Sequence, residues 1–207
     1  MVVSSSTDGR VQRGNETRRA VLGRAVQIAS VEGLGALSIG RLATDLGLSK
    51  SGVFAGFGSK EELQLATVRA ARRIFYDNVI APVLDLPAGT GQVLALCERW
   101  IAYSRGRVFE GGCFFYSVTA EFDAQPGPVR DALATAALDW EAQMTDLLRA
   151  AVATGDLAAD TDVEELALLL TSLMDSANVH SVLHDDPSRY DRTARAIRRL
   201  LLLATPA

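Results

Sequence analysis

The chain has 207 residues, of which 48% are hydrophobic, and it carries a formal net charge of −4. This length and apolar content allow a sizeable core, which we expect to divide into a small N-terminal domain and a larger second one. The first residues lack the apolar stretch of a signal peptide, and the run from Leu200 to Ala204 is too short to span a bilayer. We therefore expect a cytoplasmic protein that makes no membrane contact.

The overall charge hides an opposition between two parts of the chain. Residues 1–60 contain eight basic and four acidic residues, a net of +4, while the remainder contains 13 basic and 21 acidic residues, a net of −8. The only two lysines, Lys50 and Lys60, lie in the basic part. A basic end on an acidic body is the electrostatic pattern of a phosphate-binding surface, so this end is predicted to contact nucleic acid.

Residues 1–14, MVVSSSTDGRVQRG, are rich in Ser and Gly and are predicted to form a flexible basic leader. One interpretation is a mobile arm that adds phosphate or minor-groove contacts, and the other is a plain disordered tail. From Thr17 onward the spacing of apolar residues predicts a first helix that ends at Gly33.

The segment from Leu37 to Leu63 has the spacing of a helix-turn-helix. Leu42, Ala43 and Leu46 share one face of a short helix that Ser38 can cap, and Gly47 can end it. The small Ala43 allows a close crossing of two helices.

Ser49 is predicted to cap a second short helix, in which Val53, Phe54 and Phe57 can pack back on the first. The sequence Ser59-Lys60-Glu61-Glu62 then forms a Ser-x-x-Glu capping box at the start of a long helix. A helical hairpin with no DNA role is the alternative interpretation, and the charge distribution favours DNA binding.

Taken together, the motifs between Thr17 and Val68 resemble the TetR family of transcriptional regulators: TRRAVLGRAVQIASVEG, SIGRLATDLGLS, the second short helix, and FGSKEEL. The resemblance implies an all-α fold. In it, residues 15–62 form a three-helix helix-turn-helix DNA-binding domain, joined by a long helix to a ligand-binding and dimerisation domain in residues 63–207. Beyond Val68 the resemblance is one of architecture only.

The recognition helix departs from the family pattern. The family usually has Thr, Tyr and then a Tyr-His or Trp-His pair where this chain has Gly52, Phe54, Ala55 and Gly56. One hypothesis is that recognition has moved to the helix N-terminus, where Lys50 and Ser51 reach base edges while backbone amides beside the two glycines approach phosphate. The alternative is a weak or degenerate operator.

The resemblance also assigns phosphate contacts to Ser38 and Lys60, which begin helices whose dipoles favour anions. Arg41 is predicted either to reach phosphate or a base edge, or to be a solvated surface residue. The predicted DNA-binding residues are Ser38, Arg41, Ser49, Lys50, Ser51, Gly52, Phe54 and Lys60.

Helical periodicity continues to the C-terminus, and no segment shows the alternation of a strand. The predicted helices are 61–80, ending before Pro82, then 91–107, 113–122, 128–153, 163–184 and 189–203.

The middle helices are predicted to hold a small-molecule effector. Aromatic residues at helical spacing are more often plain core than ligand contacts, so both interpretations stand. The predicted pocket residues are Trp100, Tyr103, Cys113, Phe114, Trp140, Met144 and Asn178. By analogy with the family, a mostly apolar pocket implies a lipophilic effector. Asp175 and Asn178, polar groups on an apolar helix, either orient a ligand or cross the dimer interface.

The last two predicted helices are more apolar than the edge of a small bundle requires, and in the family the corresponding helices form a homodimer. The predicted interface residues are Leu173, Ala177, His180, Ile197, Leu200 and Leu201. A two-fold dimer places its recognition helices in successive major grooves, which implies a pseudo-palindromic operator.

Other classes of site have weaker support. Cys97 and Cys113 lack metal-site spacing and are expected to be reduced core thiols, with a redox-sensing pair as the alternative. His180 and His184 have the i, i+4 spacing of a metal pair but no recognisable third ligand, so we expect no metal and no cofactor.

The predicted function is a ligand-responsive regulator that binds double-stranded DNA, with repression the expected output. The chain has no nucleophile elbow, P-loop or dinucleotide fingerprint, so we expect no enzymatic activity. The alternative is a helical small-molecule-binding protein or enzyme whose DNA binding is weak or vestigial.

Overall fold

The computed structural model describes residues 5–206, and over that range all regular structure is helical, which confirms the predicted all-α fold. The helices are α1 (Ser5–Glu32), α2 (Ile39–Asp45), α3 (Lys50–Phe57), α4 (Lys60–Phe75), α5 (Thr90–Arg105), α6 (Phe114–Phe122), α7 (Pro128–Ala153), α8 (Val163–His184) and α9 (Ser188–Leu203). Short 3₁₀ turns occupy Leu34–Ala36 and Ala81–Val83, and a π-turn occupies Tyr76–Ile80.

Serine caps begin the three helices after α1, as predicted. The Ser38 hydroxyl accepts a hydrogen bond from the Arg41 amide at 3.1 Å, and the Ser49 hydroxyl accepts one from the Gly52 amide at 3.1 Å. Between these helices Gly47 has φ +63°, a conformation that costs an L side chain energy but suits glycine. The two short helices are therefore defined by their local sequence.

The capping box at the start of α4 is only half formed. The Ser59 hydroxyl accepts a hydrogen bond from the Glu62 amide at 3.0 Å. The Ser59 amide, which a complete box would bond to the Glu62 side chain, instead donates to the Phe57 carbonyl at 2.9 Å. The tight turn at Gly58, with φ +75°, brings that carbonyl within reach.

Helix α1 begins earlier than the sequence predicts. Residues 5–14, which were expected to be a flexible leader, form its first turns, so that prediction is wrong from Ser5 onward. The segment contains no proline, and the Gln12 side chain donates to the Glu16 carboxylate one turn later at 3.3 Å. Residues 1–4 of the predicted leader lie outside the described part of the chain.

Helix α4 ends at Phe75, before the predicted end at residue 80, and the chain changes geometry twice before it passes Pro82. After Phe75 the chain widens into the π-turn and then tightens into the 3₁₀ turn that contains Pro82. Proline lacks an amide and clashes with the preceding turn, so a regular α-helix cannot continue through it. Two residues of the π-turn, Tyr76 and Ile80, face a cavity described below.

The C-terminal domain is a bundle whose core includes a buried polar network. The Ser104 hydroxyl on α5 donates to the Asn178 side-chain oxygen on α8 at 2.8 Å, and it lies 2.7 Å from the Tyr190 hydroxyl on α9. The same Asn178 oxygen accepts the Cys113 amide at 2.8 Å. This network ties the start of α6 to three other helices.

Helix α8 is long and apolar enough to cross a membrane, judged by length and composition alone. One such helix is weak evidence for a membrane span, since a core helix passes the same test. Leu166, Leu170 and Met174 on α8 are buried in the bundle, and α9 packs along it. Packing within the bundle therefore accounts for the apolar residues on this face of α8, while Leu168, Leu169, Val182 and Leu183 are exposed.

Candidate DNA-binding surface and effector cavity

The outer face of α3 presents the residues that the sequence assigns to DNA. Ser49, Lys50 and Ser51 are exposed at its start, while Val53 and Phe57 are buried against the other helices. Phe54 was expected to pack back on α2, but its side chain is 53% exposed. It lies one residue after the buried Val53 and so about 100° around the helix, which turns it outward.

The two glycines of α3 border a cleft of about 370 Å³ between this helix and α1. Arg18 of α1 lies in this cleft, with its guanidinium 4.4 Å from the centre of the Phe57 ring and donating to the Gly56 carbonyl. A cation at the C-terminal end of a helix is favourable because the last carbonyls have no partner within the helix. Gly52 and Gly56 thus adjoin α1.

Arg41 forms an ion pair with another residue of the protein. Its guanidinium forms a two-point ion pair with the Glu32 carboxylate, at 2.7 and 2.6 Å. The hydrogen bond from Arg41 lowers the pKa of Glu32, and the bond to Glu32 raises the pKa of Arg41. Because both groups are exposed, the pair contributes little stability and can open for a phosphate.

Lys60 lies where the start of α4 meets the 3₁₀ turn that precedes α2. Its ammonium donates to the Gly35 carbonyl at 2.6 Å, which holds it at the N-terminus of α4. The Ser38 hydroxyl already accepts a hydrogen bond from the Arg41 amide as a helix cap. It can therefore bind a phosphate by donating its proton.

A second site is a cavity of about 500 Å³ in the C-terminal domain, bounded by α4 to α8 and the π-turn. It is lined by Arg72, Phe75, Tyr76, Ile80, Trp100, Cys113, Phe115, Tyr116, Thr119, Ala120, Asp123, Leu133, Ala136, Ala137, Asp139, Trp140 and Asp175. Of the predicted pocket residues, Trp100, Cys113 and Trp140 lie in this lining.

Four predicted pocket residues lie outside the lining, which is a correction to the prediction. Tyr103, Phe114 and Met144 are buried among core side chains, and Asn178 is committed to the polar network around Ser104. Helical spacing identified them as inward-facing but could not separate the core from the cavity.

Three aromatic residues of the cavity wall, Phe75, Tyr76 and Phe115, were missed by sequence reasoning. Phe75 forms the centre of an edge-to-face cluster, with ring centroids 5.2 Å from Trp140, 5.4 Å from Tyr103 and 5.8 Å from Phe115. These contacts join α4 to three other helices. No local signal in the sequence marks such a meeting point, because its members lie far apart along the chain.

Three carboxylates also face the cavity. Asp139 is paired with Arg72, and Asp123 is exposed at the end of α6. Asp175 is partly buried, and this burial raises its pKa to about 6. The cavity is therefore aromatic and also carries acidic groups, in addition to the mostly apolar lining that the family analogy implies.

Both cysteines are free and buried. Burial raises the pKa of Cys97 to about 12 and that of Cys113 to about 11, and Asp175 adds a smaller upward contribution at Cys113. Since the thiolate is the reactive form, both thiols are poor candidates for redox sensing in this state.

The two sites are joined through α6. Tyr116, Thr119 and Ala120 line the cavity, and the next residue, Glu121, reaches the N-terminal domain. Its carboxylate accepts the backbone amides of Leu34 and Gly35, each at 2.7 Å.

The approach of Glu121 depends on small residues in the 3₁₀ turn that precedes α2. A Cβ atom added at Gly33 or at Gly35 would lie 2.5 Å from a Glu121 carboxylate oxygen, far closer than atoms can pack. Gln27 of α1 adds two bonds to the same junction, donating to the Val108 carbonyl at 3.1 Å and accepting the Glu110 amide at 2.8 Å.

The predicted dimer surface also needs correction. Ala177, Ile197 and Leu201 are buried within the protomer and cannot face a partner, whereas His180 is exposed and Leu173 and Leu200 are partly buried. The exposed apolar residues of α8 and α9 are instead Leu168, Leu169, Val182, Leu183, Leu202 and Leu203.

His180 and His184 lie on the exposed side of α8, with parallel rings 5.7 Å apart. Within residues 5–206, no group of three or more His, Cys, Asp or Glu side chains is arranged to hold a metal ion.

Solved structures share this architecture. A TetR transcriptional regulator from Chloroflexus aurantiacus superposes with a TM-score of 0.83 at 22% identity, covering 90% of this chain and 94% of that one. A TetR-family regulator from Cytophaga hutchinsonii gives a TM-score of 0.83 at 19% identity, covering 94% and 98%. A protein from Saccharomonospora viridis, solved in complex with choline, gives 0.77 at 19% identity, covering 90% and 96%.

A comparison with curated protein sequences finds no significant match. The family model of the tetracyclin repressor-like C-terminal domain, however, matches residues 89–197, more than half of the chain. These residues form α5 to α8 and most of α9, which together contribute most of the cavity lining. The chain therefore belongs to the TetR family of transcriptional regulators.

Proposed function

We propose that this protein is a ligand-responsive DNA-binding regulator that acts as a homodimer and is released from a pseudo-palindromic operator by a small-molecule effector. Repression is the expected output, because loss of DNA binding then switches genes on. The proposal needs only binding steps and no catalytic one. We expect it to act in the cytoplasm, beside the DNA.

The observation that carries this proposal is the position of Glu121. On one side its helix, α6, contributes part of the cavity wall, and on the other its carboxylate accepts the Leu34 and Gly35 amides. Lys60 donates to the Gly35 carbonyl from the start of α4. A ligand that moves α6 would therefore shift the turn that holds both α2 and Lys60.

The energy needed for this response is small. A coupling of about 1–3 kcal/mol between the effector and DNA sites changes DNA affinity by roughly five- to 150-fold. Two hydrogen bonds to a carboxylate can supply free energy of that order. The α4 helix also lines the cavity, with Arg72 and Phe75, and gives the effector a second path to the DNA-binding domain.

We propose that residues at the start of α3 contact the edges of the DNA bases. Lys50 and Ser51 are exposed there, and the Lys50 side chain passes beside Gly40, where an added Cβ would lie at an ordinary contact distance of 3.5 Å. Phe54 adds an exposed apolar surface suited to contact a thymine methyl group.

The dimer is proposed to form through the exposed leucine face of α8 and α9, which comprises Leu168, Leu169, Leu183, Leu202 and Leu203. Exposed apolar surface of this extent is typical of a protein interface. Reading two half-sites one turn of the double helix apart requires such a dimer to hold its two α3 helices about 34–36 Å apart.

The aromatic wall of the cavity supports a largely lipophilic effector. The volume of about 500 Å³ suits a molecule of drug size. The structural relative solved with choline indicates that proteins of this fold accommodate small organic molecules.

Selection from a random duplex DNA library, followed by sequencing of the enriched pool, tests this function. We expect an inverted repeat with half-sites one helical turn apart. Enrichment of no sequence, or of a single unrepeated half-site, would contradict the dimeric regulator.

Charge reversal on the DNA-binding surface provides a second test. Lys50→Glu and Lys60→Glu should each weaken operator binding and reduce the slope of log affinity against log salt by about one, since each removes one phosphate contact or its equivalent. Arg130→Glu, a reversal on α7 away from this surface, serves as the matched control and should leave both quantities unchanged. An enzymatic activity, by contrast, would survive both lysine reversals.

A further inference from the structure

The cavity in the C-terminal domain combines an aromatic wall with carboxylates. Trp100, Trp140, Phe75 and Phe115 contribute ring surface from four different helices. Aromatic faces carry a negative electrostatic potential and attract cations that approach them within about 6 Å. Such a wall accepts either a neutral apolar molecule or an apolar cation, so the charged groups decide between them.

The three carboxylates of the cavity differ in what they meet. Asp139 is neutralised by Arg72, and Asp123 is exposed to solvent at the end of α6. Asp175 projects from the middle of α8 and is partly buried. Among the side chains that the structure describes, none donates a hydrogen bond to its carboxylate or forms an ion pair with it, and burial alone accounts for its raised pKa.

An ionised carboxylate that loses water without gaining a partner destabilises the protein. Burial raises the pKa of Asp175 to about 6, which still leaves the group mostly ionised near neutral pH. The remaining charged and titratable groups of the cavity are Arg72, Tyr76, Cys113, Tyr116, Asp123 and Asp139, and the only cation among them is already paired. A positively charged ligand would supply the missing partner.

We propose that the effector of this protein is an organic cation, an amine or quaternary ammonium with an apolar body, whose charge lies against Asp175 and the surrounding aromatic rings. This inference rests on the proposed function, since it names the chemical class of the effector at the same site. A neutral lipophile would fill the cavity but would leave the Asp175 charge buried and unpaired.

The test uses the two tryptophans of the chain, Trp100 and Trp140, as the reporter. Both line the cavity, so their fluorescence measures occupancy directly. The probes are benzyltrimethylammonium and neopentylbenzene, its uncharged carbon isostere, which match in shape and differ in charge. We expect the cation to bind at least about tenfold more tightly than the isostere.

Substitution of the carboxylate should remove this preference. In Asp175→Asn the cation should lose about tenfold or more in affinity, while the neutral isostere should bind as well or better. Asp160→Asn, which removes an exposed carboxylate that lies outside the cavity lining, should change cation binding less than about threefold, because solvent screens that charge.

The pH profile gives a readout that a merely structural role would not produce. Cation affinity in the unsubstituted protein should fall as the pH drops through about 6, because protonation removes the charge of Asp175. The profile of Asp175→Asn should be flat over the same range. Equal binding of both probes, absence of cation binding, or an unchanged cation affinity in Asp175→Asn would each overturn the proposal.

DNA-binding anisotropy, measured with the same probes, separates this inference from the proposed function. Release of the operator by the isostere but not by the cation would support ligand control and overturn the cationic class. Charge-selective binding through Asp175 with no change in DNA affinity would support the cationic site while contradicting the regulatory role.

Discussion

Gly52 and Gly56, one turn apart on α3, illustrate how differently one residue type can be constrained. A Cβ atom at Gly56 would meet no atom within 4 Å, whereas one at Gly52 would lie 3.0 Å from the Ser49 hydroxyl that caps the helix. A side chain at position 56 would therefore meet no neighbouring atom, whereas a side chain at position 52 would crowd the Ser49 hydroxyl that caps the helix.

Gly56→Ala should raise the free energy of unfolding by about 0.5–1 kcal/mol, because alanine loses less backbone entropy in a helix. Gly52→Ala should give no such gain, since its methyl group displaces the Ser49 hydroxyl from the Gly52 amide. Thermal unfolding of the two variants side by side measures the difference. Equal stabilisation of both would show that the cap contributes nothing.

Asp175 has a consequence for stability as well as for binding. Its pKa is raised by burial in the folded protein to about 6, above that of the unfolded chain, so the folded state binds the proton more tightly. The protein should therefore lose stability as the pH rises through the interval from about 4 to 6, where the unfolded state ionises first.

Asp175→Asn should accordingly stabilise the ligand-free protein by about 1–3 kcal/mol at pH 7.5 and by much less at pH 4.5, where the native carboxyl is neutral too. Melting temperatures at the two pH values measure this, with Asp123→Asn as the exposed control. A variant less stable than the parent at pH 7.5 would mean that an unrecognised partner satisfies the carboxylate.

At the scale of elements, α6 provides a direct route from the cavity to the DNA-binding domain. It begins at Cys113, where the Asn178 network fixes its first turn, and Glu121 near its end bonds the turn before α2. A helix held at both ends transmits a displacement at its middle, where Tyr116 and Thr119 face the cavity.

Glu121→Gln should weaken this junction. A glutamine side chain has one oxygen to accept an amide, and its amino group would meet the other backbone amide as donor against donor. We expect a loss of about 1–3 kcal/mol and faster hydrogen exchange at the Leu34 and Gly35 amides. Glu110→Gln, at the same junction but with an exposed side chain, is the control, and equal exchange in both variants would refute the role of Glu121.

Helix boundaries were predicted well where the local sequence carries them. The predicted bounds of α7 and α8 match the structure to the residue, since Pro128 begins the first, Gly155 lies just past its end and Asp162 caps the second. The long α1 was missed because no stop or start signal separates residues 5–14 from the rest of the helix. The irregular end of α4 was also missed, because π-geometry leaves no mark in the sequence.

The cavity was predicted only in part, and the neighbours Phe114 and Phe115 show why. Phe114 is fully buried in the core, whereas the ring of Phe115 lines the cavity. Both are aromatic, adjacent and inward-facing, so no periodicity distinguishes them. The distinction arises from how α4, α6 and α7 meet, which depends on contacts between residues distant along the chain.

At the scale of the whole molecule, the basic N-terminal part and the acidic remainder fit the two different partners that we propose, DNA and a cationic effector. DNA repels the acidic domain, which favours an orientation in which only the helix-turn-helix approaches the phosphates. The basic and acidic parts of the sequence thus coincide with the proposed DNA-binding surface and with the domain that contains the cavity.

The dimer is the remaining feature at this scale. Leu183 and Leu203 are 71% and 73% exposed on the proposed interface, and Leu138 of α7 is similarly exposed, at 65%, but lies outside it. The double variant Leu183→Glu and Leu203→Glu should sediment as a monomer. A dimer would have to bury two carboxylates of each protomer in an otherwise apolar interface, which is unfavourable.

The same monomer should bind the operator about 100-fold or more weakly, since half-sites are no longer read together. Leu138→Glu should remain dimeric and bind normally. A double variant that still sediments as a dimer would place the interface elsewhere on the surface.

The junction at Glu121 pairs a side chain with backbone amides rather than with another side chain. Every peptide unit except that of proline offers the same amide, so Gly33 and Gly35 need only stay small enough to admit the carboxylate. No second side chain has to change in concert for the contact to be gained or lost. A single codon change at position 121 can therefore create or remove the link between the two domains. The sequences of α3 and of the proposed effector cavity need not change.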